Sequence, residues 1–196
     1  YALEGDRVVA QVGAAYPTIE TTEGTMKAGF IEAVAGMPSY ARKGYAKALM
    51  KRVHEQMLDD DIGLFILGTS KTLVAYSMYP KVGYHDIAPF NWGIKKGQKY
   101  PDTGITMKIR RHKVEDGDRL FKAFAKGQLG FVHRPDGYPK LRSSWGDGMY
   151  SKAVTFYRGG EPIGYALVRL MGTFLNVREL VTPDIGAATG TSLVLS

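Results

Sequence analysis

A short basic turn directly before an amphipathic helix is the feature that most constrains this chain. The turn lies within Pro38–Met50, and its centre reads Ala-Arg-Lys-Gly-Tyr-Ala. The first turn of a helix leaves backbone N–H groups without intrahelical partners and carries the positive end of the helix dipole. Because Gly44 has no side chain and Ala46 has only a methyl group, a diphosphate can reach the backbone here. The segment therefore predicts a site for a phosphate-bearing ligand.

The elements around the turn follow from periodicity and from breaking residues. In the helix, apolar residues recur at helical spacing and charged residues occupy the opposite face. Pro38 marks the break before the helix, and the aspartates 59–61 with Gly63 are typical of its end. Strands are predicted over residues 29–37 and 62–67, and a further helix over 71–78. The inward-facing set of the first helix is Ala46, Leu49, Met50, Val53 and Met57, and its outward-facing set is Lys47, Lys51, Arg52 and Glu55.

This arrangement resembles the GNAT N-acetyltransferases, whose acetyl-CoA loop reads R/Q-x-x-G-x-G/A between a central strand and a helix. Ala41–Ala46 matches the loop, with Ala41 in place of the leading Arg or Gln. The resemblance implies that the strand before the loop offers backbone groups to the pantetheine arm of acetyl-CoA, and Gly36 suits a bulge or a close backbone approach there. The residues it assigns to acetyl-CoA binding are Val34, Ala35, Gly36, Arg42, Lys43, Gly44, Tyr45, Ala46 and Lys47.

A second motif, Tyr79–Tyr84, resembles the family's Y-x-K-x-G-F/Y. Acetyl transfer from a thioester to an amine passes through a tetrahedral oxyanion and expels a thiolate, which needs a proton. The resemblance implies that Tyr79 is the general acid. Pro80 predicts that the helix ends at Tyr79 and presents its side chain to the cleft. Packing at the helix end is the alternative role for Tyr79, and Tyr84 is the alternative acid.

The second half of the chain repeats part of this plan. The hairpin over residues 157–167 echoes one over residues 3–12, and both resemble the hairpin before the central strand of the family. No basic glycine loop follows the second copy. Residues 185–191 carry no charge, and all of them except Ile185 are small. This layout resembles the enhanced-intracellular-survival type of acetyltransferase, an active GNAT unit followed by a degenerate one. The other elements predicted here are strands at 107–111, 152–157, 162–171 and 173–180 and a helix at 116–125.

The predicted fold class is α+β, a mixed α/β GNAT fold with a mostly antiparallel central sheet and flanking helices. Residues 1–86 are expected to form the acetyl-CoA-binding domain, 87–104 a linker rich in Pro, Gly and Lys, and 105–196 a second, non-catalytic GNAT-like domain. The family's first strand and first two helices have no counterpart before Tyr1.

Composition removes several classes of chemistry. The chain contains no cysteine, which excludes disulfides, thiolate zinc sites and cysteine nucleophiles. The four histidines are scattered, so no metal is expected. No apolar run approaches the roughly 18 to 20 residues that a membrane-spanning helix needs, and a cytoplasmic location is expected.

These observations predict an N-acetyltransferase that moves the acetyl group of acetyl-CoA to a primary amine, on a small molecule or a side chain, by direct attack. One alternative is a catalytically inactive GNAT-like scaffold. Another is a basic nucleic-acid-binding protein, since the net charge is +7 and the isoelectric point about 9.5. The basic residues are spread over both halves and interrupted by acidic ones, which disfavours nucleic acid. The acceptor amine and any assembly of identical chains are left open by the sequence.

Overall fold

The computed structural model describes residues 1–89, 93–97, 102–110, 113–144 and 152–184. The chain divides into two compact units, the first formed by Tyr1–Asn91 with Leu129–His133 and the second by Trp92–Gln128 with Arg134–Ser196. The small-residue stretch 185–191, on which the prediction of a non-catalytic second domain depends, lies outside the described residues.

The first unit is built on a four-stranded sheet and a separate hairpin. The sheet has the order β1-β2-β5-β6, and only the β5–β6 pair is parallel. The mostly antiparallel sheet predicted from the sequence is thus confirmed. The hairpin β3–β4 was not predicted, because its threonine-rich strands are short and polar. The strands are β1 (Ala2–Glu4), β2 (Arg7–Ala15), β3 (Thr18–Thr21), β4 (Gly24–Lys27), β5 (Gly29–Gly36) and β6 (Phe65–Leu67).

A later segment of the chain, Leu129–His133, adds a third extended segment beside β3. The Glu20 N–H donates to the Phe131 carbonyl at 3.0 Å, and the Glu20 carbonyl accepts from the Gly130 N–H at 2.8 Å. The His133 Nε2 also lies 2.7 Å from the Glu20 carboxylate. The backbone bonds satisfy groups that an edge strand would leave unpaired.

Helix α1 (Tyr45–Asp59) packs its apolar face on this sheet. Met50 and Met57 are fully buried, and they share a cluster with Ile31 of β5 and Tyr79. The predicted helical periodicity is confirmed, because the inward positions are the buried ones. This packing fixes the position and direction of the N-terminus of α1 relative to β5.

The predicted helix over 71–78 is instead a 3₁₀ helix, Val74–Val82, that continues through Pro80. The prediction that Pro80 ends the helix at Tyr79 was wrong. Proline removes one N–H donor, but a short 3₁₀ helix held by core contacts tolerates this loss. The helix ends at Gly83, whose φ of 96° is left-handed and whose N–H bonds to the Pro80 carbonyl.

The second unit contains an antiparallel sheet of order β10-β9-β8-β7. Its buried residues include Phe156 and Ala166, which lie on neighbouring strands. The predicted hairpin over 157–167 is confirmed as the β8–β9 connection, whereas α3 was not predicted. The elements are β7 (Ile105–Arg110), β8 (Lys152–Arg158), β9 (Glu161–Met171), β10 (Phe174–Val181), α2 (Gly117–Ala125) and α3 (Tyr138–Ser144).

A partly buried ion pair lies in this second unit. The Arg134 guanidinium donates to both carboxylate oxygens of Glu179, at 2.8 and 3.1 Å, and the Tyr165 hydroxyl donates to the same carboxylate at 2.7 Å. Arg134 also stacks on the Phe121 ring, with its guanidinium carbon 3.8 Å from the ring centre. Glu179 follows a register shift in β10, which directs its side chain to this position.

Gly164 marks a close approach of backbone to backbone in the second unit. A Cβ at this position would lie 2.7 Å from the Val181 carbonyl oxygen. We expect Gly164→Ala to lower the free energy of unfolding by about 1–3 kcal/mol through overpacking, measured by urea denaturation. Gly93→Ala is the control, since a Cβ there meets no atom within 4 Å. Equal stability of the two variants would contradict the prediction.

Candidate functional site

Strand β5 has an open edge along its second half. It pairs with β6 only over Gly29–Ile31, and from Glu32 onward its β6-facing side has no ladder partner among the described residues. Beside β2, the register changes by one extra residue in β5, between Glu32 and Ala35. Ala33 adopts a left-handed φ of 50° at this bulge. Among the described residues, the backbone groups on this side of the second half of β5 therefore have no partner in the sheet.

The bulge lies three residues before the position expected from the sequence. Gly36 is paired regularly with Ala10 of β2, so the first of the two alternatives predicted for Gly36, a bulge, was wrong. Ala33 carries the irregular conformation instead, and the Gln11 side-chain amide donates to its carbonyl at 3.3 Å. This hydrogen bond helps to hold an alanine in a backbone region that favours glycine.

The turn between β5 and α1 presents unsatisfied amides. Gly44 is the N-cap of α1 with φ 87° and ψ −5°, and no side chain caps the helix. The first backbone bond of the helix is from the Ala48 N–H to the Gly44 carbonyl, at 3.0 Å. A Cβ at Gly44 would meet no atom within 4 Å, so glycine is required here by its conformation, and the space in front of the amides is open. No acidic residue lies in the first turn.

A groove of about 450 Å³ runs from this turn along α1. Helix α1 and the end of the 3₁₀ helix form its walls. Neither Lys47 nor Lys81 has an ion-pair partner in the part of the chain that the structure describes, and the Lys51–Glu55 pair is long, at 3.9 Å. The groove is therefore positively charged and suited to an anion. Its lining residues are Gly44, Lys47, Ala48, Lys51, His54, Lys81 and Val82.

The residues predicted for acetyl-CoA binding fall into two groups. Gly44 and Lys47 line the groove, while Ala35 and Gly36 are exposed on the second half of β5. Val34 instead packs against the core cluster of the first unit.

The remaining predicted residues lie near the turn but do not line the groove. Arg42 is exposed with a left-handed φ of 63°. The Lys43 ammonium lies over the Tyr40 ring, 4.4 Å from its centre, and the Tyr45 hydroxyl donates to Glu4 at 3.3 Å. Ala46 is half-buried in the first turn.

Sequence reasoning missed three cationic or titratable groove residues. Lys51 follows Lys47 by four residues, and His54 follows Lys51 by three. These spacings place all three side chains on one face of α1. That spacing was a usable signal, but Lys51 was interpreted only as part of a solvated face. Lys81 belongs to the 3₁₀ helix, and the periodicity of α1 gives no information about which other element packs beside it.

Tyr79 lies in the core with its hydroxyl accessible. The residue is 7% exposed, and its ring contacts the Tyr84 ring edge-on at 6.1 Å between centres. Within the described residues its hydroxyl has no hydrogen-bond partner, yet it is not enclosed as an unsatisfied buried atom. The ring is thus fixed by packing while the hydroxyl remains available to another group.

The Tyr84 hydroxyl, in contrast, is already engaged. It lies 2.9 Å from the Nε2 of His54, whose ring stacks on Phe65 at 4.9 Å. Burial lowers the pKa of His54, which favours the neutral form of its ring. Burial, assisted by the nearby Tyr79, raises the pKa of Tyr84 to about 12.

The raised pKa of Tyr84 predicts a loss of stability at alkaline pH. Because the folded state holds the phenol proton more tightly than the unfolded state, stability is fully present below pH 10 and falls as pH rises toward 12. We expect the unfolding free energy of the wild type to fall more steeply over this interval than that of Tyr84→Phe. Urea denaturation at several pH values measures both slopes, and parallel slopes would contradict the prediction.

No group of three or more His, Cys, Asp or Glu residues converges in the described ranges in a way that could hold a metal ion. No described helix combines the length and the apolar character needed to cross a membrane.

The open edge of β5, the glycine turn and α1 lie together in the first unit. Residues 1–87 match the family described as "Acetyltransferase (GNAT) domain". This match confirms the resemblance drawn from Ala41–Ala46 and Tyr79–Tyr84.

Solved structures extend the likeness of fold over nearly the whole chain. A probable N-acyltransferase from Enterococcus faecalis V583 is 18% identical with a TM-score of 0.68, covering 95% of this chain and 48% of that one. A GCN5-related N-acetyltransferase from Anabaena variabilis ATCC 29413 is 14% identical with a TM-score of 0.65, covering 94% and 48%. Eis1 from Mycobacterium abscessus is 13% identical with a TM-score of 0.59, covering 99% and 52%.

The chain spans about half the length of these structural relatives. No curated protein matches it in sequence.

Proposed function

We propose that this chain binds acetyl-CoA through its first unit and transfers the acetyl group to a primary amine. The observation that carries the proposal is the continuous path from the unpaired edge of β5 to the uncapped amides after Gly44. An extended pantetheine arm can bond to the strand edge as an added strand would, and the diphosphate can accept from the α1 amides. Lys47 adds positive charge at the same place.

The chemistry assigned to this site is direct transfer. The amine nitrogen attacks the thioester carbonyl carbon and forms a tetrahedral intermediate, and the amine proton passes to solvent. The C–S bond then breaks, the amide is released, and the thiolate takes the proton of the Tyr79 hydroxyl, which regains a proton from solvent. Backbone N–H groups of the divergent β5 edge are suited to stabilising the oxyanion. The role of Tyr79 as the general acid is supported by its packing, because its ring is fixed while its hydroxyl has no hydrogen-bond partner among the described residues.

Calorimetry and a thiol-release assay test the proposal together. The 196-residue chain is titrated with acetyl-CoA, and CoA thiol release is then followed with a panel of primary amines, including aminoglycosides and lysine peptides. Saturable binding with amine-dependent thiol release supports the proposal. Binding without turnover on any amine favours the inactive scaffold, and absence of binding overturns the acetyl-CoA assignment.

A further inference from the structure

The backbone amides of β5 reverse direction part of the way along the strand. In an extended strand, successive N–H groups point alternately to the neighbours on either side. The Gly29 N–H donates to the Leu64 carbonyl, beside β6, at 2.8 Å. An unbroken strand would send the Met37 N–H to the same side, because the two residues are an even number of positions apart. The Met37 N–H instead donates to the Val9 carbonyl of β2, at 2.9 Å.

The bulge at Ala33 accounts for this reversal. It places two residues of β5 opposite one of β2, between Glu32 and Ala35. Beyond it, alternation from Met37 turns the Gly36 N–H to the side that has no ladder partner among the described residues. In an unbroken strand, the Ala35 N–H would point there and the Gly36 N–H would point to β2. The bulge therefore decides which amides a ligand at the open edge meets.

The Gln11 side chain holds the peptide group at the centre of the bulge. Its amide donates to the Ala33 carbonyl at 3.3 Å. The N–H of the same trans peptide, that of Val34, points opposite to this carbonyl and thus away from Gln11. A Cβ at Gly13 would lie 3.1 Å from the Glu32 carbonyl oxygen, so the backbone of β2 also approaches the bulge closely. The direction of the Val34 amide is therefore set from β2.

This hydrogen bond opposes a conformational strain. Ala33 has a left-handed φ of 50°, which costs a residue with a Cβ about as much free energy as one hydrogen bond supplies. Without the bond, the left-handed state of Ala33 is no longer favoured, and the peptide groups beside it are free to rotate. Glycine at this position adopts the same φ without that cost. The hydrogen bond and the backbone geometry that it maintains can therefore be separated by substitution.

We propose that Gln11 is a positioning residue of the acetyl-CoA site. Through the Ala33 carbonyl, it directs the Val34 and Gly36 amides to the open edge of β5, where they bond to the thioester arm. The inference rests on the proposed function. In this role Gln11 acts through the backbone, so its side chain becomes dispensable once residue 33 adopts a left-handed φ without support.

Calorimetry of the 196-residue chain with acetyl-CoA and with ADP tests this role. ADP carries a diphosphate but no thioester arm, so it reports binding at the Gly44 turn alone. We expect Gln11→Met to weaken the Kd for acetyl-CoA about fivefold, equivalent to ~1 kcal/mol, and to leave the Kd for ADP unchanged. Gln11→Met/Ala33→Gly should return the Kd for acetyl-CoA to within about twofold of the wild type. Gln56→Met is the control, because it removes a hydrogen bond of the same length, 3.3 Å to Asp60, from a side chain on α1.

Failure of this inference is distinguishable from failure of the proposed function. Unchanged acetyl-CoA binding by Gln11→Met overturns the inference, and so does a double variant that binds as weakly as the single one, since Gln11 would then contact the ligand itself. Equal weakening toward acetyl-CoA and ADP also overturns it, because the substitution then disturbs the whole unit. Absence of acetyl-CoA binding by the wild type overturns the proposed function, and this inference with it.

Discussion

Replacing Tyr79 with phenylalanine is expected to lower kcat by about 100-fold or more, the range found for loss of a positioned general acid. The Kd for acetyl-CoA should change little, since the ring that packs against Met50 and Met57 is retained and the lost hydroxyl has no partner among the described residues. Steady-state kinetics with the best amine of the panel, and calorimetry with acetyl-CoA, measure the two quantities.

Tyr84→Phe is the matched control for this experiment. It removes the neighbouring hydroxyl, which is bonded to His54 and whose pKa is raised to about 12. We expect only a small loss of kcat from it. A large loss in Tyr84→Phe with little change in Tyr79→Phe would reassign the acid to Tyr84. A weaker Kd for acetyl-CoA in Tyr79→Phe, without a change in kcat, would instead identify Tyr79 as a packing residue.

Replacing Glu179 with glutamine is expected to destabilise the second unit by about 3 kcal/mol. The change keeps the shape of the side chain but removes the charge that compensates Arg134. In the pair, the side chains of Arg134 and Glu179 are only 20% and 13% exposed. A guanidinium that is mostly shielded from water and has lost its carboxylate is poorly solvated. Urea denaturation gives the size of the effect, and hydrogen exchange of the β9 amides shows that it lies in this unit.

Glu115→Gln provides a control with similar chemistry and greater exposure. Glu115 also accepts from a tyrosine hydroxyl, that of Tyr157, and pairs with Arg110 at 3.0 Å, but the two side chains of this pair are 43% and 28% exposed. Its replacement should cost less than about 1 kcal/mol. A double variant, Arg134→Met/Glu179→Leu, should recover part of the stability lost in Glu179→Gln. Equal losses from Glu179→Gln and Glu115→Gln would contradict the assigned role of burial.

The parts of the site that the sequence predicted are those determined locally. The position of α1 follows from the spacing of Met50, Val53 and Met57, and the turn before it follows from the small and basic residues around Gly44. Both signals lie within a few residues of the feature that they determine. The β8–β9 hairpin is also predicted by a local signal, the Gly159-Gly160 pair between its two strands.

The parts that could not be predicted depend on contacts distant in sequence. The bulge is at Ala33 because of pairing with β2 and the hydrogen bond from Gln11, and no local pattern favours a left-handed alanine. Pro80 does not end its helix, because Tyr79 is held by core residues from three other segments. Lys81 joins Lys47 and Lys51 only once its helix packs beside α1, so composition and spacing along the chain gave no sign of the completed groove.

The pairing of Leu129–His133 with β3 means that the first unit is not formed by one continuous segment of the chain. A fragment cut after residue 91 would retain the Gly44 turn but expose the backbone of Glu20 and its neighbours, which bond to Gly130, Phe131 and His133. A bare strand edge of this kind invites aggregation. Isolating the first unit in soluble form therefore calls for a fragment reaching at least residue 133, or for the peptide of residues 129–133 added as a separate molecule.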